Sequence, residues 1–185
     1  MGTQKLLLSF DGKPVIAHVV DEVRRSAVHE VVVVVGQDGP RIAEALTGRA
    51  VSIVTNADFQ GDMLSSVRCG LRALPLLCDT ILVVLGDQPR IDSALIDAVL
   101  RAFPAKSGGI VVPTHKGRHG HPLLFSARYR EEILTSFDQT GLRGLLQAHP
   151  DEISEFNVAS EAVLADMDFP EDYARELALL GARNR

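Results

Sequence analysis

T-I-L-V-V-L-G-D-Q-P-R, residues 80–90, is the stretch on which the fold of this chain turns. Residues 81–85 are uninterruptedly apolar and rich in the branched side chains that strands favour. A run apolar on both faces is the pattern of a strand held between two helical layers. Gly86 lets the chain turn sharply, Asp87 follows with one carboxylate, and Gln88-Pro89 ends the ladder because proline has no N–H to give. The pattern predicts Asp87 at the carboxyl edge of a central strand, where open α/β sheets bind ligands. A carboxylate there suits a metal ion or a polar ligand.

Working outward, similar apolar runs recur at residues 31–35 and 51–54, separated by helical periodicities. Val15, Ile16, Val19, Val20 and Val23 fall on one helical face, as do Leu64, Val67, Leu71 and Leu74, and Leu95, Ile96, Val99 and Leu100. Asp62 and Asp92 stand where helix caps belong. Strands alternating with helices predict an α/β protein of three layers, α/β/α, with a mostly parallel, Rossmann-like sheet. After residue 109 the strands crowd together (residues 109–112, 123–125, 152–158 and 163–167), which predicts a small mixed extension in the last third. A final helix opens at Pro170. No boundary signal divides residues 1–185, so a single domain is expected.

Composition narrows the function. The chain has 185 residues, is 46% apolar and carries a net charge of −5, with no basic block, which argues against a dedicated nucleic-acid binder. Its two cysteines, Cys69 and Cys78, give neither a disulfide framework nor metal-ligand spacing, and fit a reducing, cytoplasmic setting. No apolar run approaches the roughly 18 residues needed to span a membrane.

Each candidate residue has a plain structural explanation beside a functional one. Asp87 could cap a helix or make an ion pair. The P-loop and dinucleotide readings fail, since neither G-x-x-x-x-G-K-[ST] nor G-x-G-x-x-G occurs. In Asp166-Met167-Asp168-Phe169-Pro170-Glu171-Asp172, alternation puts Asp166 and Asp168 on one side of an extended segment, where two carboxylates call for a cation or donors. Helix capping explains Asp168 equally well. Ser65 and Ser66, near a helix N-terminus, can offer hydroxyls and N–H groups to a ligand or only close the helix. The loop carrying Arg118 and His121 can meet an anion or be an ordinary hairpin tip.

Taken in order, these residues resemble the MobA/MocA-like nucleotidyltransferases. Met1-Gly2-x-x-Lys5-Leu6-Leu7 is similar to the end of that family's loop L-A-A-G-x-S-x-R-M-G-x-x-K. Met63-x-Ser65-Ser66 before Gly70-Leu71 resembles G-M-x-S-S…G-L, and Leu85-Gly86-Asp87-Gln88-Pro89 matches L-G-D-Q-P. Gly117-Arg118-His119-Gly120-His121-Pro122 resembles G-R-R-G-H-P, and the Asp166–Asp172 stretch resembles D-I-D-T-P-E-D.

The resemblance implies the nucleotide-diphospho-sugar transferase type of fold and a nucleotidyl transfer from CTP or GTP to the phosphate of molybdopterin. A sugar- or alditol-phosphate acceptor, or an inactive nucleotide-binding relative, are the alternatives. It further implies that Asp87 and Asp168 hold Mg²⁺, with Asp166 the alternative second ligand. On the same resemblance Lys5 would be catalytic and neutralise the triphosphate. Gly2, Lys5, Met63, Ser65 and Ser66 would bind the nucleotide, Gly120, His121 and Pro122 would face the acceptor, and the product would pass to a molybdoenzyme.

Three departures stand out. Phe169 replaces the family's Thr, Asp62 stands where Gly usually precedes Met63, and G-D-x-G-A-R reads Asp138-Gln139-Thr140-Gly141-Leu142-Arg143. In the family a central strand and the glycine-rich loop precede the position of Met1, so the working protein is expected to extend upstream by roughly one strand plus a loop.

Overall fold

In the computed structural model, which describes residues 4–58, 62–104 and 109–183, Asp11 and Gly12 take left-handed φ angles of 51° and 76°. They close a hairpin between β1 (Ser9–Phe10) and β2 (Lys13–Pro14). Pro14 then leads directly into α1 (Val15–Arg25), whose Val15, Ile16, Val19, Val20 and Val23 are all buried, as the helical spacing requires. β3 (Val32–Val35), α2 (Gly39–Ala45) and β4 (Ser52–Thr55) continue the alternation. α3 (Met63–Ala73) is capped by Asp62, which accepts from Ser65 N at 3.2 Å. β5 (Thr80–Val83) carries the opening apolar run, and α4 (Ser93–Arg101) is capped by Asp92, which accepts from Leu95 N at 2.9 Å.

β6 (Ile110–His115) turns through Lys116 and Gly117, both left-handed, into β7 (Arg118–His119). β8 (Leu123–Ser126), α5 (Arg130–Thr135), α6 (Arg143–Ala148), β9 (Ile153–Asn157) and α7 (Pro170–Arg183) complete the chain. β3 and β4 pair in parallel. β5, β6 and β9 share one direction in the five-stranded sheet, and β8 runs antiparallel between β5 and β6. The architecture is mixed α/β around a central, mostly parallel sheet, with the reversed strand in the last third.

α1 and α3 cover the sheet from opposite faces, and each spans two strands. Ile16 and Val20 of α1 pack with Val35, whereas Val19 and Val23 pack with the group that includes Leu82 and Val84. Leu64 and Leu71 of α3 pack with Ile81, while Gly70 lies against Val34. Among the described residues β3 and β5 are not hydrogen-bonded to each other, so the edge of each that faces away from its partner carries no strand.

Two expectations change. The opening run is a shorter strand than its apolar length suggests, ending at Val83, and residues 82–85 are half-buried, with β5 paired on one edge alone among the described residues. Residues 163–167 form no strand. A 3₁₀ turn (Glu161–Leu164) precedes an irregular segment, because the Val163 carbonyl is taken by His121 N at 2.9 Å rather than by a neighbouring strand. The alternation survives: Ala165 and Met167 are buried, Asp166 and Asp168 exposed.

Candidate active site

Gly86 places Asp87. A Cβ at Gly86 would stand 3.0 Å from Ile16 Cδ1 and 3.6 Å from Leu6 Cδ2, so a side chain there would press the Ile16 tip back and the backbone passes close under the first turn of the chain without one. Asp87 then emerges beyond β5, mostly buried, and meets Lys5. Lys5 Nζ donates to Asp87 Oδ2 at 2.5 Å and to Asp168 Oδ1 at 2.8 Å. Residues 82 and 163 positions apart in sequence therefore converge on one ammonium. Burial works against the Lys5 charge, yet the hydrogen bonds and charges of Asp168 and Asp87 outweigh it and raise its pKa.

Asp168 is held by its neighbours on both sides. Met167 is fully buried with Phe10 and Val15, and Asp172 accepts from the backbone N–H groups of Asp168 and Phe169 at 3.1 and 2.9 Å. Asp172, not Asp168, is the residue whose carboxylate closes the start of α7. Asp166 lies near enough for its charge to act on His121. Burial lowers the His121 pKa, partly offset by the charges of Asp166 and Asp87, so the imidazole is neutral at pH 7. The His121-Pro122 peptide is cis. Gly120 could carry no side chain, since a Cβ would lie 2.2 Å from the Val163 carbonyl oxygen.

The serines form a second group at the carboxyl end of β4. Asn56, buried, donates from Nδ2 to Ser65 Oγ at 2.9 Å, Ser66 Oγ at 3.2 Å and Asp58 O at 3.1 Å. Its Oδ1 accepts from Asp58 N at 3.0 Å. Met63, at the start of the same helix, is exposed. Asn56 is the site residue that sequence reasoning passed over; its signal was a polar amide directly after an apolar strand. Gly141 comes within 3.9 Å of Asp62 Oδ2 through its Cβ position, which brings the Asp138–Arg143 segment beside the α3 N-terminus. Gly2 lies outside the described residues.

The structure thus gathers Lys5, Asp87, Asp168, Asp166 and His121, and separately Asn56, Ser65 and Ser66, at the carboxyl ends of strands. Among the described residues no cluster of three or more His, Cys, Asp or Glu could hold a metal. The two carboxylates that share the Lys5 ammonium nonetheless fit a hard divalent cation, because their oxygens already converge on one positive charge. Mg²⁺ of this kind takes one or two carboxylates and completes its shell with water and phosphate oxygens.

The family model described as MobA-like NTP transferase domain matches residues 1–153. The bifunctional protein GlmU of Symbiobacterium thermophilum is 37% identical over 102 residues, covering 53% of this chain and 21% of that protein. The chain spans about a fifth to a quarter of the length of the curated relatives it matches. A nucleotidyl transferase from Methanothermobacter superposes with a TM-score of 0.86 at 24% identity, covering 99% of this chain and 87% of that one. Rv0371c of Mycobacterium tuberculosis, in a structure described as a manganese complex, superposes with a TM-score of 0.80 at 22% identity, covering 94% and 91%. At these identities the structural likeness concerns the fold. No helix among the described residues is long and apolar enough to cross a membrane.

Proposed function

The chain belongs to the MobA-like NTP transferase domain family, and from that premise we propose that it moves a nucleoside monophosphate from CTP or GTP to the phosphate of a molybdopterin-like acceptor. A phosphate oxygen of the acceptor forms the new bond to the α-phosphorus, the bond to the bridging oxygen of the β-phosphate breaks, and pyrophosphate leaves. No protein nucleophile takes part. The chain's work is to bind, orient and neutralise two anionic reactants.

The observation that carries this reading is the Lys5 ammonium between Asp87 and Asp168. Asp87 and Asp168 would hold Mg²⁺, which when bound supplies charge neutralisation and Lewis acidity at phosphate oxygens. Asp168 is preferred to Asp166 because it reaches Lys5, whereas Asp166 acts on His121. Lys5 holds its proton at Nζ and supplies positive charge to the triphosphate. Ser65 and Ser66, oriented by Asn56, line the nucleotide site with Met63. Gly120, His121 and Pro122 face the acceptor, where a neutral imidazole can donate one hydrogen bond and accept another. The setting is cytoplasmic, and the product would pass to a molybdoenzyme.

The test is pyrophosphate release with CTP, GTP, ATP and UTP against molybdopterin and against sugar and alditol phosphates, with Mg²⁺ or Mn²⁺. Turnover with molybdopterin and CTP or GTP, lost in Asp87→Asn, is expected. Turnover confined to sugar or alditol phosphates would move the acceptor assignment, and no turnover with any pair would overturn the reading.

A further inference from the structure

Glu176 on α7 is fully buried and takes no part in the chemistry above. Its Oε2 accepts from Arg90 Nε at 2.6 Å, while its Oε1 is buried without a hydrogen bond, with Arg175 Nε 3.5 Å away. The carboxylate is therefore satisfied chiefly by Arg90, whose side chain is itself 14% exposed. A second arm of the same guanidinium, Nη2, reaches Glu161 Oε1 at 3.4 Å.

These partners belong to three separate segments. Arg90 follows Asp87 by three residues, in the turn that also buries Gln88 and Ile91. Glu176 sits on the helix that Asp168 leads into. Glu161 opens the 3₁₀ turn whose Val163 carbonyl accepts from His121 N at 2.9 Å and lies 3.5 Å from Gln88 Nε2. A buried ion pair contributes little stability that apolar packing could not provide, and its better-attested use is to fix register. Arginine suits that use, because its planar fork ties two partners at set angles where a lysine would supply only a point charge.

We propose that Arg90 is a positioning residue, whose pairing with Glu176 and Glu161 sets the Asp87 turn in register with the Asp168 helix and with the segment that holds His121. The proposal rests on the reading that Asp87 and Asp168 share the divalent cation. It acts through distance: Asp168 is more than half exposed and Met167 anchors it from behind, so the tilt of α7 decides how far its carboxylate stands from Asp87.

Mn²⁺ titration followed by electron paramagnetic resonance, together with thermal melts, tests it on Arg90→Lys, Glu176→Gln and Asp87→Asn. Arg90→Lys and Glu176→Gln are expected to weaken Mn²⁺ binding about 10- to 100-fold while each still melts cooperatively. Either variant suffices if the other does not fold. The exchanged pair Arg90→Glu with Glu176→Arg is expected to bind Mn²⁺ more tightly than Arg90→Glu alone. If Arg90→Lys and Glu176→Gln lower only the melting temperature, and Mn²⁺ affinity is lost in Asp87→Asn alone, Arg90 merely anchors α7 and the proposal falls. If Asp87→Asn binds Mn²⁺ as the parent does, the metal reading itself fails, and this inference with it.

Discussion

Lys5 Nζ stands 2.5 Å from Asp87 Oδ2, at the carboxyl end of β5. The contact joins the first described turn of the chain to its middle, and Asp168 joins it from the last fifth. An ammonium between two carboxylates is stable as it stands, yet its surroundings are half open to solvent. In the proposed reaction a triphosphate would compete for the lysine while a metal would compete for the carboxylates.

Replacing Lys5 by Met is expected to reduce kcat/KM for nucleotidyl transfer about 10²- to 10³-fold, as for loss of one preorganised charge at a transferring phosphoryl group. Its effect on stability has a defined sign. The Lys5 pKa is raised in the folded state, so its contribution is fully present below the ordinary lysine value near 10.4 and is lost as pH rises through the higher folded value. Thermal melts of parent and variant should therefore differ between pH 7 and 10 and converge at more alkaline pH.

Asn56→Ala is expected to loosen Ser65 and Ser66 without touching Asp87. The half-buried serine hydroxyls would lose their shared donor, a cost on the order of 0.5–1.5 kcal/mol. Initial-rate kinetics should show KM for the nucleotide rising about tenfold or more, with kcat changed less. An equal fall in kcat at constant KM would place Asn56 elsewhere in the cycle.

Asp21 makes an acid-sensitive tie away from the site. Arg49 Nε and Lys13 Nζ donate to its two oxygens at 2.6 and 2.5 Å, and the Arg49 hydrogen bond leads the causes that hold its pKa at about 2. A depressed carboxylate stabilises the fold above its unfolded pKa near 3.9, and this is lost as pH falls toward 2. Asp21→Asn should destabilise by on the order of 1–2 kcal/mol at pH 7 and by almost nothing near pH 2, measured by urea unfolding.

The edges of β3 and β5 should be visible in amide exchange. Ser52 N and Asn56 N bond to the carbonyls of Val31 and Val35, which turns the N–H groups of Val33 and Val35 toward β4 and those of Val32 and Val34 away. Ala127 N bonds to the Asp79 carbonyl, which likewise turns Thr80 and Leu82 away from β8. Hydrogen exchange read by NMR should find Val32, Val34, Thr80 and Leu82 faster than Val33, Val35, Ile81 and Val83. Equal protection of both sets would mean that the outward edges are covered in solution.

Much of this was legible in sequence because it depends on local order. The helical faces of α1 and α3 and the caps Asp62 and Asp92 follow from spacing and side-chain size within a few residues. The supposed strand at residues 163–167 misled because its apolar and acidic alternation is real. What makes a strand is a partner, and the Val163 carbonyl is given to His121 instead. Asn56 was passed over for the same reason, since its importance lies in two serines 9 and 10 residues away.

By itself, then, the sequence determined the alternation of strands and helices, the carboxylate at the end of the central apolar run, and the order of motifs that marks the family. Only the tertiary structure decided which carboxylates Lys5 reaches, that the Asp166 charge acts on His121, and that Arg90 and Glu176 meet inside the protein. Local preferences are set within a turn of helix or a few residues of strand. The convergence of residues 5, 87 and 168 depends on how α1 and α7 pack, and packing is a property of the whole chain.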